Sequence, residues 1–327
     1  MDGPAVDRLA EIRARSLLHQ LGVAASEPVH RLSSVTNEVW CSGELIVRIN
    51  RRADGRLTQE VTTAARLPAE IGYPEIVDSG TTDGMEWMAT RRLPGVALSR
   101  VWPRIDDAER KALTEEFAER LQILHQTDAT GLAVSSQAPQ LVDFHRPDRL
   151  GRLRQDLTRA YQLPHVPKSL MMAIAGMVED AAPQVESVTA TTLVHGDLTF
   201  ENVLYHQGRI QAILDFEWAR AAPPDLDLDV LLRFVWFPKL HVAPDYVEQT
   251  TDGMYRMLPR QIEAVYPELF APAALLDRLL VYSIGFDVRD LLRFPPTGPM
   301  DGLGPHHPLV RLRNTAERWS HLHQLTR

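Results

Sequence analysis

The sequence predicts an α+β chain, with a small antiparallel sheet near the amino terminus and a larger, mainly helical remainder. Three observations carry this. Residues 29–49, VHRLSSVTNEVWCSGELIVRI, alternate short apolar runs with turn-forming residues, the pattern of consecutive strands. From residue 106 onward apolar side chains recur at helical spacing over several long stretches. A length of 327 residues exceeds the size at which one core usually stops growing, so two lobes are expected, at 1–93 and 94–327.

The elements follow in order. Residues 6–21 read as a leading helix, with Leu9, Ile12, Leu17 and Leu21 on or near one face and Gly22 as its stop. Strands are expected at 29–32, 38–41 and 44–49, separated by a loop at 33–37 and a turn at Ser42 and Gly43. LTQEVTTAARLPAEIG is a helical pattern ending near Gly72, and EWMATRRLPG is a strand running into a Pro-Gly turn. Asp106 or Asp107 caps a long helix through Gln126, whose Leu113, Phe117, Leu121 and Leu124 form a core stripe. Residues 127–188 are helical in pattern, broken by prolines at 139, 147, 164, 167 and 183. Two short strands, 203–205 and 210–214, join across His206, Gln207 and Gly208. Helices are expected at 226–234, 246–266, 273–292 and 310–325, with a Pro/Gly-rich loop at 295–308.

The segment HGDLTFENVLYHQGRIQAILDF, residues 195–216, carries the chemistry. Its hairpin brings Asn202, just before the first strand, near Asp215, just after the second. Antiparallel neighbours lie about 5 Å apart, so an amide oxygen and a carboxylate can meet at one hard cation. Asp197 sits in the preceding loop and can face the same point. Mg²⁺ suits such a set, because it takes few protein oxygens and completes its shell with water and phosphate.

This order and spacing match the protein-kinase catalytic loop, His-Arg-Asp followed by four residues and Asn, and then a metal-binding Asp-Phe-Gly. Here Gly196 replaces the Arg, and Asp215-Phe216-Glu217 replaces Asp-Phe-Gly. Both departures, with AILDFEWA at 212–219 and PPDLDLD at 223–229, resemble the aminoglycoside phosphotransferase family, kinase-like enzymes that phosphorylate small molecules. The resemblance implies a protein-kinase-like two-lobed fold with ATP between the lobes; the residues do not separate ATP from GTP as donor. It implies that Asn202 and Asp215 hold Mg²⁺ and that Asp197 is the catalytic base. Arg48 takes the place of the kinase lysine on the third strand, with Glu60 as its helix partner. Ser33, Ser34 and Thr36 offer hydroxyls in a nucleotide loop that lacks phosphate-cradling glycines. Arg91 and Leu93, by position, supply backbone groups to the adenine edge. His195 is implied to be structural, and Asp227 to hold the catalytic loop. The implied acceptor is a hydroxyl of a small molecule, an aminoglycoside or other antibiotic in one reading. A choline, homoserine, methylthioribose or macrolide type of acceptor is open in another.

Other features narrow the classes. No Walker-type lysine loop or Gly-x-Gly-x-x-Gly fingerprint occurs, which argues against the other common nucleotide folds. A net charge of −8 gives no support to nucleic-acid binding, and no run reaches the roughly 18 apolar residues of a membrane span. One cysteine, Cys41, and a charged, amphipathic amino terminus lead to the expectation of a cytoplasmic protein. Oligomeric state is not legible. A protein kinase is disfavoured by Gly196, Glu217 and the absence of an Ala-Pro-Glu segment. A catalytically silent nucleotide-binding protein is disfavoured by intact Asp197, Asn202 and Asp215, while the glycine-poor loop favours it. Asp225 with Asp229, the histidines at 306, 307, 321 and 323, and Asp287 with Asp290 read as structural or surface groups rather than as further sites.

Overall fold

The computed structural model describes residues 4–32, 34, 37–52, 54–132 and 141–324. Five antiparallel strands open the chain: β1 (His30–Leu32), β2 (Glu38–Ser42), β3 (Leu45–Asn50), β4 (Ile76–Thr82) and β5 (Met85–Arg91). Their spatial order is β1-β2-β3-β5-β4. β4 was not expected from the pattern. It is one of the sheet's two edge strands and mostly exposed, so it lacks the apolar alternation that marks a half-buried strand.

Helix α1 (Pro4–Gln20) covers one face of this sheet. Its buried stripe is Ala10, Ala14, Leu17 and Leu18, packed on Trp40, Val47, Ile49, Trp87 and neighbours. Leu9 and Ile12, expected on that face, are exposed instead. The two alanines let the helix approach the sheet closely, a choice that a search for large apolar residues does not detect. Helix α2 (Arg56–Ala64) follows β3 and stops short of the expected Gly72. Pro68 explains this, since proline lacks an amide donor and biases its predecessor away from helical backbone. A 3₁₀ turn at Ala69–Ile71 completes the connection.

The chain then passes through β6 (Val96–Ala97) and the short α3 (Leu98–Val101) into α4 (Asp107–His125). Asp106 caps α4 by accepting from the Glu109 amide at 2.8 Å. Helices α5 (Gly151–Tyr161) and α6 (Lys168–Glu186) occupy only the later part of the stretch expected to be helical over 127–188, with Pro164 and Pro167 between them and Pro183 inside α6. Residues 127–132 and 141–150 are not helical, and 133–140, including Pro139, lie outside the described residues. Strand β7 (Thr192–Val194) pairs with β10 (Arg220–Ala222), and β8 (Val203–His206) forms a hairpin with β9 (Arg209–Ile213). The hairpin turn uses Gln207 and Gly208, both at positive φ (49° and 82°), the geometry that matches strand twist.

Four helices close the chain: α7 (Asp225–Trp236), α8 (Leu258–Val265), α9 (Leu275–Arg293) and α10 (Pro308–Ala316). The helix expected over 246–266 is confined to α8, because Pro259 is tolerated only in a first turn. α10 ends before Arg318, which adopts left-handed backbone at φ 60°. The larger core joins α4–α10 with the hairpin, separately from the cluster under α1. At the connection between them, Gly95 (φ 135°) passes so close to β8 that a Cβ would lie 2.5 Å from the Tyr205 carbonyl oxygen. Among the described residues, no helix is long and apolar enough to cross a membrane.

Candidate active site

The β8–β9 hairpin sets the first geometry. The Leu214 amide donates to the Asn202 carbonyl at 2.8 Å, closing the open end of the hairpin. Asn202 and Asp215 flank that closure, and both line a cleft of about 460 Å³ together with Ser34, Arg48, Arg91 and Leu93. The Asn202 side-chain amide donates to the Asp197 carbonyl at 2.8 Å, which fixes its nitrogen and leaves Oδ1 with no hydrogen bond among the described residues. Asp215 occupies left-handed backbone (φ 66°), an uncommon state for a residue with a side chain. Its carboxylate is 33% exposed. One amide oxygen and one accessible carboxylate beside a cleft suit a hard divalent cation that takes its other ligands from water and phosphate.

The loop bearing Asp197 is held from below. The His195 and Gly196 amides donate to the two oxygens of Asp227 at 2.8 and 2.7 Å, and His125 Nε2 lies 3.1 Å from the same carboxylate. Burial raises the Asp227 pKa, but the hydrogen bonds from His125 and the backbone amides outweigh it and hold the group below the ordinary range. His195 Nε2 faces the Leu214 carbonyl at 2.8 Å, and its Nδ1 accepts from the Asp197 amide at 3.2 Å. That pair of partners assigns a neutral ring protonated at Nε2, with no nitrogen left to act as a base. Gly196 (φ 81°) has no room for a side chain, because a Cβ would sit 2.5 Å from the Trp218 carbonyl oxygen. Burial, with the charge of Asp215 adding to it, pushes the Asp197 carboxyl up to about 6, against the opposing pull of Arg289.

Across the cleft, Arg48 on β3 is the hub. Its Nη1 donates to both oxygens of Glu60 on α2 (2.8 and 2.7 Å), as the spacing of the two residues suggests. Its Nη2 donates to Asp215 at 2.6 Å and lies 3.5 Å from Glu217. Burial opposes the arginine's charge, but Glu60 and Asp215 outweigh it and raise the pKa further. Glu60 is fully buried and also accepts from the Tyr73 hydroxyl (2.8 Å) and the Phe216 amide (3.1 Å). Phe216 in turn packs between the rings of Tyr73 and His195.

At the far end of the cleft, the Arg91 amide donates to the Glu75 carbonyl at 2.9 Å, so its carbonyl leaves the strand on that same edge. The Leu93 amide makes no hydrogen bond among the described residues. Ser34 is exposed and lines the cleft. Ser33 and Thr36 lie outside the described residues.

Sequence reasoning noted Glu217 only as a departure from Asp-Phe-Gly and assigned no role to Asn37, Arg56 or Tyr73. Glu217 accepts from Asn37 Nδ2 (3.1 Å) and Arg56 Nη1 (3.0 Å), and Arg56 also stacks over Trp218. Burial, then the charge of Asp215, lifts the Glu217 pKa to about 8. Yet every side-chain partner of Glu217 is a donor, an arrangement that suits the ionised form, and the geometry carries more weight here. No local period could have flagged these contacts.

The remaining carboxylates are structural. Asp225 accepts from Arg278 at 2.5 Å, and Asp287 from Arg233 (2.9 Å) and Arg311 (2.8 Å). Asp290 pairs with Arg289 and Arg311. Among the described residues, no group of three or more His, Cys, Asp or Glu side chains is placed to hold a metal ion.

Comparison with known proteins agrees with this geometry. The profile of the phosphotransferase enzyme family (APH) matches residues 31–259, more than half of the chain. A hygromycin-B 4-O-kinase of Escherichia coli is 26% identical over 253 residues, which cover 74% of this chain. The chain spans 66% of that relative's own length, just under two thirds. Among solved structures, ADP-bound aminoglycoside phosphotransferase APH(2'')-Ib superposes with a TM-score of 0.65 at 15% identity, covering 94% of this chain and 98% of that one. A thermostable mutant of APH(4)-Ia in ternary complex with ADP and hygromycin B gives 0.63 at 16% identity, covering 95% and 97%. At such identities the structures speak to the fold, which is the protein-kinase-like fold shared by these enzymes.

Proposed function

The chain belongs to the phosphotransferase enzyme family, and we propose that it transfers the γ-phosphoryl group of ATP to a hydroxyl of a small molecule, an aminoglycoside or related antibiotic. The observation that carries this reading is the placement of Asn202 and Asp215 at one end of a hairpin, on the cleft that Arg48 also lines, with the Asn202 side chain bonded to the Asp197 carbonyl.

The nucleotide lies between a lobe at 1–93 and a lobe at 94–327. The Arg91 carbonyl and the Leu93 amide meet the adenine edge, and Ser34 lies toward the phosphates. Arg48, aimed by Glu60, grips the phosphates. Asn202 Oδ1 and Asp215 would hold Mg²⁺, which would supply charge neutralisation at the phosphates. Asp197 orients the acceptor hydroxyl. As the new oxygen–phosphorus bond forms and the bond to the β-phosphate oxygen breaks, Asp197 accepts the hydroxyl proton. Because phosphoryl transfer passes through a loose transition state, positioning and charge neutralisation supply most of the acceleration.

The test is turnover of labelled ATP across a panel of aminoglycosides that includes hygromycin B, beside choline, homoserine, methylthioribose and a macrolide. Phosphate transfer to an aminoglycoside hydroxyl is expected. Transfer only to one of the other acceptors would keep the mechanism and replace the substrate class. ATP bound but turned over with none of them would favour the silent nucleotide-binding reading.

A further inference from the structure

Glu217 lies two residues beyond Asp215, yet the side-chain donors around its carboxylate come from β3, α2 and the residue before β2. Asn37 Nδ2 reaches Oε2 at 3.1 Å and Arg56 Nη1 reaches Oε1 at 3.0 Å. Arg56 is itself only 2% exposed and is fixed by two hydrogen bonds to Asp54, at 2.9 and 3.0 Å. Glu217 is therefore pinned from two sides and is not free to swing into the cleft as a metal ligand.

Arg48 is divided differently. Its Nη1 is committed to Glu60, while its Nη2 stands between two carboxylates, Asp215 at 2.6 Å and Glu217 at 3.5 Å. The oxygen of Asp215 that holds Arg48 belongs to the group proposed to hold the cation. A guanidinium and a divalent cation compete for such a carboxylate and repel each other. The second carboxylate stands within about 1 Å of hydrogen-bonding range for Nη2.

We propose that Glu217 is a positioning residue that takes over Arg48 Nη2 when Asp215 turns to a divalent cation, keeping the arginine on the phosphates without occupying the metal carboxylate. This rests on the kinase reading of the cleft. Glu217 supplies a fixed counter-charge; Glu60 continues to orient the arginine. Without the charge at 217, Arg48 has only Glu60 and Asp215 to choose from, and it stays on Asp215.

The experiment measures calorimetric affinity of the full chain for AMP-PNP in excess Mg²⁺ and in EDTA, for wild type, Glu217→Gln and Glu217→Asp, with thermal midpoints alongside. The wild type is expected to gain affinity with Mg²⁺. Glu217→Gln should lose about 10-fold of that gain, within the usual range of coupling between two sites, while its affinity in EDTA holds. Glu217→Asp keeps the charge but withdraws it by one methylene, and should fall between; it carries the test should the Gln variant not fold. A purely structural role would lower the thermal midpoint and leave the Mg²⁺ gain intact. Equal gains in the wild type and the folded variants would overturn the proposal. A wild type that binds no nucleotide would overturn the kinase reading instead.

Discussion

Two networks of buried and half-buried charge run through this molecule, and they differ in one respect. In the cleft, Arg48 is shared by Glu60, Asp215 and Glu217, and Asp215 remains one third exposed (33%). In the helical lobe, Arg233, Asp287, Arg311 and Asp290 form a chain of pairs in which Asp287 is only 2% exposed and holds both arginines. The second network is closed: its central carboxylate already has its cations. The first is open at Asp215, where a water-accessible carboxylate faces a cavity. An open charge beside a cleft is available to a ligand, whereas a closed one serves the fold.

Substitutions can separate the two. The largest effect is expected at the open end. Asp215→Ala should abolish Mg²⁺-dependent ATP binding and leave the thermal midpoint near that of the wild type, because Arg48 keeps Glu60 and Glu217. Calorimetry showing unchanged Mg-ATP affinity would remove Asp215 from the metal site. Asp287→Ala should do the reverse. It removes the carboxylate partner of buried Arg233 and leaves Arg311 with the carboxylate of Asp290 alone, so denaturant melts should show a loss of about 3–5 kcal/mol, while the Michaelis constant for ATP in the remaining folded protein stays put. A small stability change there would mean that the closed network is better solvated than its burial suggests.

Asp197→Asn keeps the shape of the base and removes its basicity. It should fold normally, bind Mg-ATP as the wild type does, and lose turnover by about 10² or more. The wild-type rate should also depend on pH. A carboxyl held at about 6 is ionised only above that value, so turnover should climb through pH 6 and level off beyond it. A pH-independent rate between 5 and 7 would argue that another group accepts the proton.

A separate effect, read in stability against pH, is expected at Asp229 on α7. It is fully buried, and neither of its oxygens finds a hydrogen bond. Burial lifts its pKa to about 8, against the pull of Arg233. The folded state therefore binds this proton more tightly than the unfolded chain, whose aspartates titrate near about 3.9. The contribution is stabilising at low pH and is lost as pH rises toward 8. Asp229→Asn removes the dependence, so the variant should gain on the wild type between about pH 4 and 8, with the difference level above that. Melts at a series of pH values would show parallel curves if Asp229 is solvated.

The proposed catalytic end of the cleft can be read from the sequence because its parts are close along the chain. Asp197, Asn202 and Asp215 fall within one loop and one hairpin, and a hairpin's register follows from its turn residues and apolar alternation. The cap at Asp106 and the core stripe of α4 were legible for the same local reason. Helix ends were less so: Pro68 and Pro259 cut helices that apolar spacing alone would have continued. The face of α1 was misjudged because close packing on a sheet favoured Ala10 and Ala14 over larger side chains.

By itself the sequence determined the order of the chemical groups, the hairpin that spaces them and the family to which they belong, since each is written in residues that are chain neighbours. The tertiary structure decided which charges meet. Arg48 and Asp215 are 167 residues apart, Arg56 and Glu217 161, and Asn37 and Glu217 180. Such pairs have no period to read. A carboxylate's partners, its exposure and hence its ionisation arise only when folding removes water and brings distant donors to it, and that is what leaves Asp215 open and Asp287 closed.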